Sequence, residues 1–200
     1  MKFSKTELKE LIKAWFFVSL AFAILFSGGY RILFSLSFNF VLAFVISGFT
    51  VGIAFLFHEI MHKFVAEKYG YKTEFHAFDK MLWLALLFSF FGFIIAAPGG
   101  VMIKALHISK DRNGKISLAG PLANIVLALL FLILFLLSDF SNFLAIFFNF
   151  GFRINSLLAL FNLMPFMPFD GFKIFIWNKK IYFIVAILSL ILFLASFFIL

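Results

Sequence analysis

Long apolar runs are the feature that most constrains how this chain can fold. They lie at about residues 14–27, 32–61, 81–97, 117–137, 143–164 and 181–199. A helix that crosses a membrane needs about 20 mainly apolar residues, and several of these runs reach that length. The composition agrees, because 64% of the residues are hydrophobic, only 13% are charged, and the mean hydropathy is +1.13. We therefore predict an all-α polytopic membrane protein rather than a soluble domain.

The chain offers no sign of a division into separate domains. No stretch rich in Ser, Pro or Gly marks a linker, and the longest polar stretches, about 63–80 and 104–116, are too short to fold alone. We expect one membrane-embedded domain over residues 1–200, with a core at about 32–180. The first run follows an acidic, lysine-bearing segment without a clear cleavage site, so we expect a retained helix rather than a signal peptide. Cysteine is absent, which excludes disulfides and thiolate ligands.

The second apolar run ends in His58-Glu59-Ile60-Met61-His62. Two histidines four residues apart lie on one face of a helix and can share one metal ion, while Glu59 can reach a water molecule bound to that ion. The alternative is a histidine pair at a helix end that faces lipid headgroups. Ionisable side chains in or near the hydrocarbon are costly, which favours a functional site.

A second segment, residues 162–171, interrupts a helical stretch with two prolines and a glycine. Proline breaks helices, and irregular backbone at membrane depth is tolerated only where it is buried in protein or lines a watery cavity. Asp170 is then available as a third ligand beside His58 and His62, and three protein ligands are typical of catalytic zinc. The alternative is a helix that ends at proline, with Asp170 capping the next helix.

A third segment, residues 119–124, opens the run that continues to Leu137, with a proline suited to a first helical turn. Gly120 and Ala123 permit close helix packing, which is by itself a sufficient explanation of their presence. Asn124 requires a polar partner within the membrane. We favour packing or interhelical hydrogen bonding for Asn124 over direct catalysis.

In combination and in this order, the three segments resemble the motifs of the site-2 protease family of intramembrane zinc metalloproteases. The resemblance covers roughly residues 40–180. The family's HExxH motif is matched by residues 58–62, its Gly-Pro helix start by Gly120 and Pro121 with Asn124, and its Asn-x-x-Pro-x-x-Pro-x-Asp-Gly motif by residues 162–171.

The resemblance implies the roles of individual residues. It implies one zinc ion per chain, bound by His58, His62 and Asp170, with Glu59 as general base. Asn162 is implied to position substrate or stabilise the oxyanion. The family's activity, cleavage of membrane-embedded helices of other proteins, implies membrane-protein substrates in a lipid bilayer. Many relatives carry a PDZ or CBS domain, for which this chain has no room, so we expect substrate selection without one.

The basic residues favour one orientation in the cell membrane. They cluster in four groups, and placing all four in the cytoplasm leaves only Arg31 and Arg153 elsewhere. The N-terminus and the active-site loops would then face the cytoplasm. The groups are Lys2, Lys5, Lys9 and Lys13; Lys63, Lys68, Lys72 and Lys80; Lys104, Lys110, Arg112 and Lys115; and Lys173, Lys179 and Lys180.

This orientation constrains the segment between the metal-binding motifs. An even number of crossings must separate His62 from Asp170, since both must reach the same ion. We therefore predict that residues 81–101 form a re-entrant or interfacial hairpin before the third core helix, with its turn near 97–100, and count five full crossings. If residues 81–97 cross completely, the count is six.

Other classes of function remain open at this point. The net charge of +8 could suggest a nucleic-acid partner, but the basic residues sit in short loops between spans, so no nucleic acid is expected. Histidine and aspartate in broken helices also form the cation pathways of transporters, although no inverted repeat is visible. A catalytically inactive binding scaffold is the third possibility.

Overall fold

Helices make up 78% of the computed structural model, which describes residues 2–30, 38–94, 98–139 and 143–198. The helices are α1 (Lys5–Phe26), α2 (Phe38–Ser47), α3 (Ile53–Lys68), α4 (Asp79–Phe90), α5 (Lys110–Leu137), α6 (Phe143–Asn162), α7 (Asp170–Trp177) and α8 (Lys179–Phe198). A π-helical turn, Gly48–Gly52, joins α2 to α3 without a break. Two strands, β1 (Lys72–Ala77) and β2 (Gly99–Lys104), form one small sheet.

Four helical segments within the described ranges are long and apolar enough to cross a membrane: Phe38–Lys68, Lys110–Leu137, Phe143–Asn162 and Lys179–Phe198. The expected membrane-type helical architecture is confirmed at this level. The predicted five to six crossings and the hairpin stay predictions, and Arg31 and Ala97, which entered that reasoning, lie outside the described residues. The 12 residues of α4 rise only about 18 Å, against a hydrocarbon core of about 30 Å.

The sheet is a feature that the sequence analysis did not predict. Phe75 is the one buried residue of β1. Its partner strand begins with Gly99, where a Cβ would collide with the Phe75 ring and lie 2.7 Å from the carbonyl oxygen of His76. Glycine is therefore what lets the two strands approach. The all-α prediction needs this correction, because a six-residue strand is too short to stand out among longer apolar runs.

The helices and strands group into two compact units. The first comprises Met1–Leu56 and Thr73–Met102. In it, α1 packs against α2 and α4. The carboxylates of Glu7 and Glu10 accept hydrogen bonds from the backbone N–H groups of Phe75 and Ala77, at 3.0 and 3.1 Å. These bonds attach β1 to α1 through an edge that would otherwise leave backbone donors unsatisfied.

The second unit comprises Phe57–Lys72 and Ile103–Leu200 and contains all the candidate site residues. Here α5 packs against α6 and α7, and α6 packs against α8. Buried apolar side chains from these four helices, including Ile125, Phe152, Ile174 and Val185, form its core. The single domain expected over residues 1–200 stays a prediction.

Helix α5 begins earlier than the sequence analysis expected. Ser109 is its N-cap and accepts a hydrogen bond from the backbone N–H of Arg112. Pro121 therefore lies inside the helix, and the prediction that Gly120 and Pro121 open a helix is wrong. The polar residues from Lys110 onward form the first turns before the apolar run begins, so the start of the run is not the start of the helix.

Candidate metal centre

Helix α3 places two histidines one turn apart on the same face. Their Nε2 atoms are 3.0 Å apart, and the exposed fractions are only 5% for His58 and 9% for His62. Glu59, the next residue along the helix from His58, is also buried. The i, i+4 spacing thus produces the paired geometry that the sequence predicted.

Asp170, the first residue of α7, completes a cluster with the two histidines. Its Oδ2 lies 3.2 Å from Nε2 of His58 and 3.0 Å from Nε2 of His62. The N-cap of α7 is Phe169, which makes no side-chain cap, so a capping role does not account for this carboxylate. Gly171 lets the chain fold back on itself, because a Cβ there would collide with the carbonyl of Leu163.

The other ring nitrogens of the two histidines contact acceptors. Nδ1 of His62 lies 2.8 Å from the backbone carbonyl oxygen of Ile116, and Nδ1 of His58 lies 2.6 Å from Oδ1 of Asn124. A carbonyl oxygen can only accept, so each Nδ1 carries the hydrogen and donates it. In the neutral imidazole each Nε2 then keeps its lone pair, which is the arrangement seen in metal-binding histidines.

The three ligand atoms fit a zinc ion. Tetrahedral zinc with ligands at about 2.0 Å requires neighbouring ligand atoms about 3.3 Å apart, close to the 3.0–3.2 Å separations found here. Two nitrogen lone pairs and a carboxylate oxygen directed at one point repel each other unless a cation lies between them. Two histidines and one carboxylate also leave a fourth position open, as catalytic zinc sites do.

Gly120 of α5 lies directly against the cluster. A Cβ at this position would lie 2.5 Å from Nε2 of His58 and closer still to Nε2 of His62. Close helix packing, the role expected for Gly120 from the sequence, is therefore only part of its contribution. Any larger residue would occupy the space in which the two ligand atoms meet.

Helix α7, which carries Asp170, is attached to the start of α5. The indole Nε1–H of Trp177 donates to Oδ1 of Asp111 at 2.9 Å, and Nζ of Lys115 lies 5.9 Å from the centre of the Trp177 ring. Gly114 permits this approach, because a Cβ there would collide with the Trp177 side chain. These contacts fix the helix whose first residue joins the histidine pair.

Two other asparagines, Asn162 and Asn155, lie on α6. Asn162 donates its side-chain N–H to the carbonyl oxygen of Leu158 at 2.9 Å, and this hydrogen bond stays within α6. Asn155, which the sequence analysis overlooked, lies beside Asn124 and is fully buried. The available signal was its position: Asn155 precedes Asn162 by two helical turns and carries an amide within an apolar helix.

The fold and the site define a class of protein: one with helices of membrane-spanning length and a buried cluster of side chains that could hold a metal ion. The sequence profile described as Peptidase family M50 matches residues 46–145. The chain belongs to peptidase family M50. This assignment confirms the resemblance to the site-2 proteases on which the sequence prediction rested.

Similar proteins carry names that agree with the family. A protein of Methanocaldococcus jannaschii described as a candidate zinc metalloprotease is 45% identical over 74% of this chain and 78% of its own length. A Bacillus subtilis protein with the same description is 30% identical over 62% of this chain and 65% of its own length. A longer zinc metalloprotease of M. jannaschii is 30% identical over 64% of this chain but only 33% of its own length. No solved structure matches the chain.

The family and these relatives support a metalloprotease with zinc as its cofactor. The His58, His62 and Asp170 cluster is a group of metal-ligating side chains within the described residues that suits this ion.

Proposed function

We propose that this protein is an intramembrane zinc metalloprotease, which hydrolyses peptide bonds within or near the transmembrane segments of other membrane proteins. The observation that carries the proposal is the buried cluster of His58, His62 and Asp170, with Glu59 adjacent, in which the two histidines lie on a helical segment of membrane-spanning length. The proposed ligands are the three clustered side chains, and the proposed general base is Glu59.

The position of the cluster along its helices supports a reaction inside the bilayer. His58 lies ten residues before Lys68, the last residue of α3, or about 15 Å along the helix axis. Asn124, which contacts His58, lies 14 residues after Lys110, the first residue of α5, or about 21 Å. Both residues therefore lie well within helices that are long and apolar enough to cross a membrane.

The chemistry follows from the side chains around the cluster. When bound, zinc supplies a Lewis acid that polarises a carbonyl oxygen and makes water acidic enough to act near neutral pH. The carboxylate of Glu59 accepts a proton from the attacking water and later delivers it to the leaving nitrogen as the C–N bond breaks. His58, His62 and Asp170 hold their positions throughout, because α3 and separate Nδ1 partners fix the two histidines and α7 fixes Asp170.

Asn162 is proposed to position the substrate or to donate to the developing oxyanion. Its side chain would first have to give up the hydrogen bond to the carbonyl of Leu158. Loss of that bond is inexpensive, because the carbonyl remains part of a helix and the amide gains a charged acceptor in exchange. Asn162 is the last residue of α6, next to irregular backbone.

The substrate must lose helical structure before it is cut. A membrane helix uses its carbonyl groups in internal hydrogen bonds, so an intact helix offers no carbonyl for attack. We propose that substrates contain residues that weaken a helix, and that water reaches the cluster through a polar path. An unwound segment needs new backbone partners, which the edge near Gly99 and Gly100 or the loop from Pro165 to Asp170 can supply by strand addition.

We further propose that the protein lies in the cell membrane with its N-terminus and the loops beside the site in the cytoplasm. The grouping of basic residues supports this orientation. The short length of α4 supports a segment that enters the membrane without crossing it. Five crossings then place Lys68 and Asp170 on the same side.

Single cysteines test this orientation, because the chain has no cysteine of its own to react in the background. Cysteines at Ser109 and Asn178 should be labelled by a membrane-impermeant reagent only from the cytoplasmic side. A cysteine at Ser138, at the other end of α5, should be labelled only from outside. Labelling of Ser109→Cys from outside would refute the re-entrant segment and the cytoplasmic placement of the loops.

Cleavage by the reconstituted protein tests the function itself. Wild-type protein in lipid vesicles, mixed with a labelled single-span substrate that contains helix-weakening residues, should release products whose ends map inside the apolar segment by mass spectrometry. Removal of metal with a chelator should abolish cleavage, and added zinc should restore it. A substrate whose segment lacks the helix-weakening residues is the matched control and should be cut more slowly. Chelator-insensitive products, or ends that lie only outside the span, would contradict the proposal; a cation transporter or an inactive scaffold would release no products.

A further inference from the structure

We infer that Asn155 is a positioning residue that, through Asn124, sets which nitrogen of His58 is free to bind metal. The two asparagines lie on different helices and are both fully buried. Together they connect a backbone carbonyl of α6 to the metal-binding histidine of α3. The inference rests on the proposed metal site and adds residues to it that bind neither metal nor substrate.

The connection is a series of three hydrogen bonds. Nδ2 of Asn155 donates to the backbone carbonyl oxygen of Gly151 at 2.9 Å. Oδ1 of Asn155 accepts from Nδ2 of Asn124 at 3.4 Å. Oδ1 of Asn124 in turn lies 2.6 Å from Nδ1 of His58.

The carbonyl of Gly151 determines which atom is donor and which is acceptor in each of these hydrogen bonds. A peptide carbonyl can only accept, so the atom of Asn155 that faces Gly151 must be the nitrogen, and its oxygen must face Asn124. The atom of Asn124 that faces this oxygen must then be the nitrogen, which leaves its oxygen for His58. Nδ1 of His58 must therefore carry the hydrogen, and the lone pair is left on Nε2, the atom that faces His62 and Asp170.

His62 has the same tautomer, with the hydrogen on Nδ1, but a single hydrogen bond determines it. Its Nδ1 donates directly to the backbone carbonyl of Ile116, an acceptor that cannot turn round. The partner of His58 is instead a side-chain amide, and an amide can rotate to present its N–H group to the ring. Asn155 prevents this rotation, because it would place the oxygen of Asn124 against the oxygen of Asn155.

A double-mutant cycle separates this role from simple packing. Asn155→Leu keeps the number and branching of the side-chain heavy atoms but removes the acceptor, so Asn124 can turn and favour the wrong tautomer of His58. We expect zinc affinity, measured by competition with a chelator, to fall roughly tenfold, the lower end of the cost of losing a partner of a metal ligand. In an Asn124→Asp background the same change should lower zinc affinity less than about twofold. Both carboxylate oxygens of the aspartate accept, so rotation of this side chain cannot present a donor to His58.

The matched control is Ser156→Ala. Ser156 is buried next to Asn155 and donates to the carbonyl of Phe152 in its own helix, four residues back, as Asn155 does to Gly151. Zinc affinity should be unchanged in this variant. An unchanged affinity in Asn155→Leu, or an equal loss in the wild-type and Asn124→Asp backgrounds, would overturn the inference.

A measurement on metal-free protein tests the tautomer directly, without relying on zinc affinity. With His76 and His107 replaced by Gln, the imidazole nitrogen-15 NMR signals come from His58 and His62 only. Both should be in the Nδ1–H form in the otherwise wild-type protein, and one should change form in Asn155→Leu. Two unchanged signals would overturn the inference. Zinc retention by His58→Ala would instead defeat the proposed metal site, so the two failures are distinguishable.

Discussion

Replacement of Glu59 by Gln is expected to lower the rate of hydrolysis by roughly 10²- to 10⁴-fold while zinc stays bound. Glutamine keeps the size and shape of the side chain but cannot accept a proton. The proposed ligands His58, His62 and Asp170 are unchanged, so zinc affinity should remain close to that of the wild type. The measurement is the initial cleavage rate of the single-span substrate in vesicles, beside the zinc content of the same preparation.

The control for this variant is Asp139→Asn, the same loss of a carboxylate at an exposed position past the end of α5. Its cleavage rate should match that of the wild type. Equal rates for wild type and Glu59→Gln would remove Glu59 from the mechanism. Loss of zinc from Glu59→Gln would show that the carboxylate holds the metal site together and does not act only as a base.

The features that the sequence could predict are those set by local spacing. Three of the apolar runs correspond to α5, α6 and α8 within a few residues at their C-terminal ends, because a long apolar helix depends mainly on its own residues. The facing of His58 and His62 follows from helix geometry alone. The addition of Asp170, 108 residues after His62, rested on the broken helix around it and on the match to a known family, because spacing in the sequence does not give distances between helices.

The features that the sequence could not predict depend on contacts between segments. The position of Pro121 inside α5 follows from polar residues that extend the helix beyond its apolar part. The strands β1 and β2 are stabilised by each other and by carboxylates of α1, which no local pattern reveals. Asn155 stands out only once Asn124 is seen beside it, since a single asparagine in an apolar helix has many possible partners.

Asp170→Ala is expected to reduce zinc affinity more than any change in residues that only hydrogen-bond a ligand, which typically costs 10- to 100-fold. Two histidines on α3 alone form an incomplete site, and both of their short contacts to Oδ2 of Asp170 are lost. Asp170→Asn is the matched variant: it keeps the shape and one oxygen but not the charge, so its affinity should fall between those of the wild type and Asp170→Ala.

The zinc content of purified wild-type and Asp170→Ala protein, after dialysis against a weak chelator, tests the proposed metal site most directly. We expect about one zinc ion per wild-type chain and little or none in the variant, with the helix content of the two proteins equal by circular dichroism. About one zinc ion per chain in a folded Asp170→Ala variant would contradict the assignment of Asp170 as a ligand, and with it the three-ligand site on which the proposed function depends.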